Sequence, residues 1–349
     1  MNATISDRSK KILQVLATGQ ALSRAEIQEA IKESRDNAIR ELNRLVEQGL
    51  VVTSGEARAT VYTITPQARI VVFWDVEEYL SQDPSTRQAL YKSLQPELFT
   101  TIKGIIGKPP EAIEKASTNR QATSGSDSVT ARKDLERFVI ELSWKSSKIE
   151  GNTYTLLDTE RLIKEAKEAV GHPHDEAVMI LNHKKAFEYV WEHQNLFKEL
   201  TKTQVEEVHQ LLVEGLHVPI GLREHPVGIT GTIYVPPASQ IEIAPYLHDI
   251  ISTINSIEEP LEKAMACLVL LPYLQPFADG NKRTSRLLAN AVLLAHGYPP
   301  LSYRGIDEQA YKGALILFYE QGSLANFREL YLKQLEESAE NYFFPIRKK

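Results

Sequence analysis

The sequence predicts a mainly α protein, and three observations predict it. Long stretches carry apolar residues at the i, i+3, i+4, i+7 spacing of a buried helix face. Strand-like runs are read only at residues 50–53, 60–64 and 229–235. Most helical stretches open on a capping residue or close on a glycine or proline. No internal repeat or long low-complexity tract interrupts this pattern.

A length of 349 residues suits two or three domains. A hydrophobic fraction of 42% and a charged fraction of 25% are ordinary for a globular chain. The net charge of −6 gives no global pull towards nucleic acid or an anionic membrane. The single cysteine, Cys267, excludes an internal disulfide framework and fits a reducing compartment. No N-terminal signal pattern and no membrane-length apolar run is present, so a cytoplasmic protein without membrane partners is expected.

The chain is expected to open with a helix over residues 6–18, with Ile12, Leu13, Val15 and Leu16 inward. Ser23-Arg24-Ala25-Glu26 is a capping box for a second helix. Ser34 caps a third, apolar at Ile39, Leu42, Leu45 and Val46 and closed by Gly49. Residues 50–53 and 60–64 read as two strands. Three helices and a hairpin over residues 1–70 resemble a winged helix-turn-helix. The third helix would then be the recognition helix, offering Arg35, Asn37, Arg40 and Arg44 to DNA, with Arg58 in the wing. Ten basic against eight acidic residues over this stretch, a net of +2, is a weak footprint for a duplex reader. DNA contact, protein docking or dimerisation (a homodimer included) and plain scaffolding all stay open.

Residues 71–132 are expected to be a connector, with a polar, flexible link over residues 117–132. From Lys133 helical periodicity returns and runs to about residue 340. His172, His174 and His183 lie near or on the amphipathic helix expected at residues 175–191, with no acid or cysteine cluster to complete a metal site. Residues 229–235 read as part of a hairpin ended by Pro236-Pro237.

The chemistry concentrates between two buried helices, at residues 262–274 and 284–296. The loop between them runs Gln275-Pro276-Phe277-Ala278-Asp279-Gly280-Asn281-Lys282-Arg283 and continues to Arg286. Backbone amides around Gly280 and Asn281 lead into a helix N-terminus, which favours an anion. Arg283 and Arg286 share a helical face and can each grip phosphate oxygens bidentately. Asp279 is a carboxylate suited to Mg²⁺ that arrives with phosphates.

Every position but the first matches the signature H-P-F-x-[DE]-G-N-[GK]-R-x-x-R, and the chain resembles the Fic (Fido-fold) family over roughly residues 135–335. The resemblance implies a Fic-type helical bundle with a β-hairpin flap, and transfer of AMP from ATP to a Ser, Thr or Tyr hydroxyl of a target protein. It implies nucleotide contacts at Phe277, Gly280, Asn281, Lys282, Arg283 and Arg286. Ser146, Glu150 and Gly151 match the family's inhibitory [ST]-x-x-x-E-[GN] segment, whose glutamate would reach Arg286. Ile229, Thr230, Thr232, Ile233 and Tyr234 would form the flap that adds a target strand. Gln275 stands where the family has its catalytic histidine. An amide does not accept a proton near neutral pH, and loss of a general base costs roughly 10²–10⁴-fold. Two classes of function follow: a slow adenylyltransferase held down by Glu150, or a nucleotide-sensing pseudoenzyme that signals through the N-terminal winged helix.

Overall fold

The computed structural model describes residues 6–122 and 129–342. The chain divides into two compact units. The first comprises Met1–Gly107, Gly228–Val235 and Gln309–Glu329; the second comprises Lys108–Val227, Pro236–Glu308 and Leu330–Lys349.

In the first unit, Ser6 accepts the Ser9 N–H and opens α1 (Asp7–Leu16). The two-residue strand β1 (Leu22–Ser23) runs into α2 (Arg24–Ile31), where Ser23 and Glu26 form the expected capping box. Ser34 caps α3 (Arg35–Glu47). β2 (Val51–Ser54) and β3 (Val61–Ile64) pair antiparallel, Val51 opposite Ile64 and Ser54 opposite Val61. β1 joins the other edge of β3, giving the order β1-β3-β2. Its two residues are too short to show a period-2 pattern, so no strand is expected there from the sequence. Ile12, Leu16, Ile27, Leu42 and Leu45 pack with Val51 and Ile64 in one core.

The stretch after β3 forms two short helices, α4 (Pro66–Arg69) and α5 (Val76–Ser81). It is tied down by backbone–amide pairing: Trp74 exchanges hydrogen bonds of 3.1 and 2.9 Å with the Asn326 side chain.

The second unit holds α6 (Glu111–Ala122), α7 (Val129–Ile149), α8 (Leu156–Glu165), α9 (His174–Glu192) and α10 (Lys202–Val213). α11 (Gln240–Asn255), α12 (Pro260–Leu274) and α13 (Asn281–Ala295) follow. α14 (Glu308–Gln321) lies almost wholly in the first unit, and α15 (Ala325–Asn341) is divided between the two. α12 is buried from Leu261 to Leu274 and apolar on every side beyond Glu262 and Lys263 in its first turn, as suits a central helix. It packs on α13, which is equally buried, and on α11.

Two expectations are corrected. The flexible link at 117–132 is helical where described: residues 117–122 end α6 and residues 129–132 begin α7, while 123–128 lie outside the described residues. Buried Ile113 and Ala131 hold the two flanks, so packing overrides the polar composition. The hairpin at 229–235 does not form. Val235 makes one isolated parallel bridge with Ser93, and Gly231 turns the chain at φ 85°. The groups a ladder would use have other partners. Arg87 donates to the Gly231 carbonyl at 2.7 Å, and the Glu320 carboxylate accepts from the Ile233 N–H at 3.2 Å and the Thr232 hydroxyl at 2.5 Å.

Candidate functional site

Pro272 and Pro276 shape the end of α12. Pro272 brings no N–H to the last turn, and Pro276 bars its continuation. Gln275 between them closes the helix in the left-handed region, φ 51°, with its N–H on the Leu271 carbonyl at 3.0 Å. Its side chain is used at both ends. Nε2 donates to the Pro272 carbonyl at 2.7 Å and Oε1 accepts from Asn281 Nδ2 at 2.9 Å.

Asn281 holds the loop from inside. Its Oδ1 accepts the Phe277 N–H at 2.8 Å and its Nδ2 also donates to the Phe277 carbonyl at 2.8 Å. What it leaves for a ligand is its backbone N–H. Phe277 is buried under the loop, stacked on His209 at 3.7 Å between centroids. His209 Nε2 lies 3.0 Å from the Asp279 carbonyl, and burial lowers its pKa to about 4. Gly280 sits at φ 79°, where a Cβ would come 3.0 Å from Val213 Cγ1. Glycine therefore serves here for both backbone and space.

α13 starts at Asn281, three residues earlier than the apolar pattern indicates, because left-handed Gly280 is its N-cap. Its first-turn N–H groups have no intrahelical acceptor, and the helix dipole adds to them. Lys282, Arg283 and Arg286 lie on this first stretch, both guanidinium groups buried. Arg283 donates from Nη1 to the Leu212 carbonyl at 3.3 Å and from Nη2 to Asp279 Oδ2 at 3.0 Å. Arg286 donates from Nη1 to Glu150 Oε1 at 2.8 Å, from Nε to Ser146 Oγ at 2.9 Å and from Nη2 to the Ser146 carbonyl at 2.8 Å. Lys282 Nζ approaches Glu150 Oε2 at 3.4 Å.

Glu150 follows the last turn of α7, and Gly151 leaves that turn at φ 101°. Burial raises the Glu150 pKa, but Arg286, Lys282 and Arg283 together hold the carboxyl below the usual carboxylate range. Of the residues singled out in the sequence, Ser146, Glu150, Gly151, Gln275, Phe277, Asp279, Gly280, Asn281, Lys282, Arg283 and Arg286 all fall within this second unit. Ile229, Thr230, Thr232, Ile233 and Tyr234 belong to the first unit, as do Arg35, Arg40 and Arg44, exposed on α3, partly buried Asn37 and Arg58 in the turn Ala57–Ala59.

Sequence reasoning passed over Arg223. Its guanidinium is buried and reaches four carbonyls: Nε to Gln275 at 2.7 Å, Nη1 to His225 at 2.7 Å and Ala238 at 3.3 Å, and Nη2 to Pro237. Its backbone N–H bonds the Pro276 carbonyl at 3.0 Å. Nothing local marks an arginine that works across a gap of 52 residues.

Asp279 fits a Mg²⁺ that arrives with phosphates better than a resident ion. Its side chain is 68% exposed, one oxygen already meets Arg283, and no group of three potential metal ligands occurs among the described residues.

Residues 199–293 match the Fic/DOC family. Residues 199–293, most of them in the second unit, thus form a Fic/DOC family domain. Curated relatives include the protein adenylyltransferase Fic of Nematostella vectensis, 30% identical over 191 residues, 53% of this chain and 44% of the relative. That of Drosophila virilis is 32% identical over 158 residues, 44% of this chain and 32% of the relative. The match spans less than half the length of these relatives. Among solved structures, Fic-1 of C. elegans aligns at TM-score 0.54 and 17% identity over 97% of this chain and 99% of that one. A Fic domain containing signaling protein from Bacteroides thetaiotaomicron aligns at 0.53 and 19%, over 68% of this chain and all of that one. The Fic fold and the family domain stand on these similarities. No helix among the described residues is long and apolar enough to cross a membrane.

Proposed function

We propose that the Fic domain binds ATP, its phosphates resting on the N-terminus of α13 between Arg283 and Arg286, and that Glu150 closes this site in the resting protein. The observation that carries the reading is the convergence of Lys282 and Arg286 on the Glu150 carboxylate. Cations gathered at a helix N-terminus suit a polyphosphate. A carboxylate among them occupies the guanidinium that a terminal phosphate would take, and repels the phosphate itself. Mg²⁺ would enter on the phosphates beside Asp279 and neutralise part of their charge.

The reaction this site resembles joins a hydroxyl oxygen of a target protein to the α-phosphorus of ATP. The bond to pyrophosphate breaks, and the hydroxyl proton must go to a base. Gln275 supplies none, because its amide is not basic and both its ends are hydrogen-bonded within the loop. We therefore read the domain as a nucleotide-binding Fic module whose adenylyl transfer is weak or absent. Calorimetry with ATP and Mg²⁺ tests the site: Arg286→Ala should weaken binding, and unchanged affinity removes the phosphate assignment. Labelled AMP incorporated by Glu150→Gly alone would instead show an enzyme with another base.

A second reading concerns the first unit. The element order α1-β1-α2-α3-β2-β3 supports a winged helix with α3 exposed. Its open face lines a shallow cleft where Asp36 and Glu47 stand on either side of Arg40 and Arg44 along the helix. Arg40 also donates to Asn37 at 2.7 Å, and Arg44 lies 3.6 Å from Glu41. Charges of both signs suit a protein partner better than a duplex. A sequence-selective gel shift lost in Arg40→Ala would overturn that preference.

A further inference from the structure

Two adjacent residues of α9, Asn182 and His183, sit behind the two arginines without touching a phosphate position. His183 is fully buried, with Nε2 at 2.6 Å from Ser146 Oγ. That oxygen also accepts from Arg286 Nε at 2.9 Å, so Ser146 Oγ joins the imidazole to the guanidinium. Burial beside two arginines keeps His183 neutral, with its pKa lowered to about 3. Asn182 faces the end of α10. Its Nδ2 donates to the Glu214 carbonyl at 2.7 Å and the Leu212 carbonyl at 3.4 Å. Leu212 is the acceptor for Arg283 Nη1 at 3.3 Å. One turn of α9 thus supports both guanidinium groups, each through one intermediary: Ser146 on α7 for Arg286, and the C-terminal carbonyl of α10 for Arg283.

We propose that Asn182 and His183 are positioning residues that set the rotamers of Arg283 and Arg286 for phosphate. Ser146 holds Arg286 through two further atoms, so removal of Glu150 takes one acceptor from Nη1 while Nε and Nη2 keep theirs on Ser146. A preoriented donor loses less freedom on binding than a loose one. His183 therefore acts most where Glu150 is absent. The proposal rests on the ATP reading of the site.

The test uses the full chain carrying Glu150→Gly, titrated with ATP and Mg²⁺ by calorimetry, with thermal melts as the folding check. His183→Leu should weaken ATP by about tenfold, the equivalent of one charge-assisted hydrogen bond. His183→Gln, which keeps an acceptor, should restore most of the loss. Ser146→Ala should match His183→Leu, and the two together should do no more than either. Asn182→Leu should weaken ATP similarly, with no further effect once Arg283→Ala is present. If Ser146→Ala and His183→Leu leave affinity unchanged while Arg286→Ala lowers it, the positioning role is overturned and the site reading survives. If His183→Leu fails to fold, Asn182→Leu with and without Arg283→Ala still decides: a loss that persists in the Arg283→Ala background, or no loss at all, overturns the support from α9. Absence of ATP binding in the Glu150→Gly protein removes both.

Discussion

Neutralising Glu150 should move stability and nucleotide affinity in opposite directions. The carboxylate lies 2.8 Å from Arg286 Nη1 and 3.4 Å from Lys282 Nζ, with only 18% of its side chain exposed. Glu150→Gln keeps the shape and an acceptor for Arg286 but removes the negative charge that Lys282 and Arg286 approach. Removing one partner of a fully buried pair costs about 3–5 kcal/mol. The residual exposure of Glu150 and the retained hydrogen bond reduce this to about 2 kcal/mol. The melting temperature without ligand should fall by roughly 5 °C. With the competing charge gone, ATP should bind about tenfold more tightly, so saturating ATP should return more stability to the variant than to the wild type. Differential scanning fluorimetry with and without ATP–Mg²⁺, paired with calorimetry, reads both quantities. A variant as stable as the wild type without ligand, with ATP affinity unchanged, would show that the Glu150–Arg286 pair neither holds the site nor closes it.

Other outcomes follow from the same contacts. Gly280→Ala should lose about 1–2 kcal/mol in urea unfolding, because of its positive φ and the tight approach to Val213, and should weaken ATP by displacing the start of α13. Gln275→His together with Glu150→Gly should incorporate labelled AMP into the chain or a partner, while Glu150→Gly alone should not; equal incorporation by the two would place the base elsewhere. Acid should destabilise the fold. His183 and His209 titrate at about 3 and about 4 when folded and near 6.5 when unfolded. Their neutral forms support the fold fully above that unfolded value, and the support is lost as pH drops from about 6.5 towards 4. Glu150 adds to this below the ordinary carboxylate value. Urea midpoints should be lower at pH 5 than at pH 7, and the difference should shrink in His209→Gln; equal midpoints would mean these imidazoles titrate as if exposed.

The loop was legible in the sequence because its chemistry is local. A helix end, a glycine, an asparagine and two arginines three residues apart define it within a dozen positions. The partners that hold the loop were not legible, because Arg223 acts from the segment between α10 and α11, His209 and His183 act from other helices, and all three look ordinary where they stand. The 229–235 segment shows the same limit from the other side. Its alternation suits a strand, but a hairpin needs free backbone groups, and a glutamate 87 residues away takes the Ile233 N–H. Gln275 joins the two lessons. At the end of α12 the fold asks this side chain for one donor, towards the Pro272 carbonyl, and one acceptor, towards Asn281 Nδ2. A neutral imidazole offers one of each, and so does a carboxamide. The carboxamide of Gln275 therefore meets both demands of the loop and brings no basic nitrogen with it. That is why the cradle around Arg283 and Arg286 stays intact beside a position that cannot take a proton.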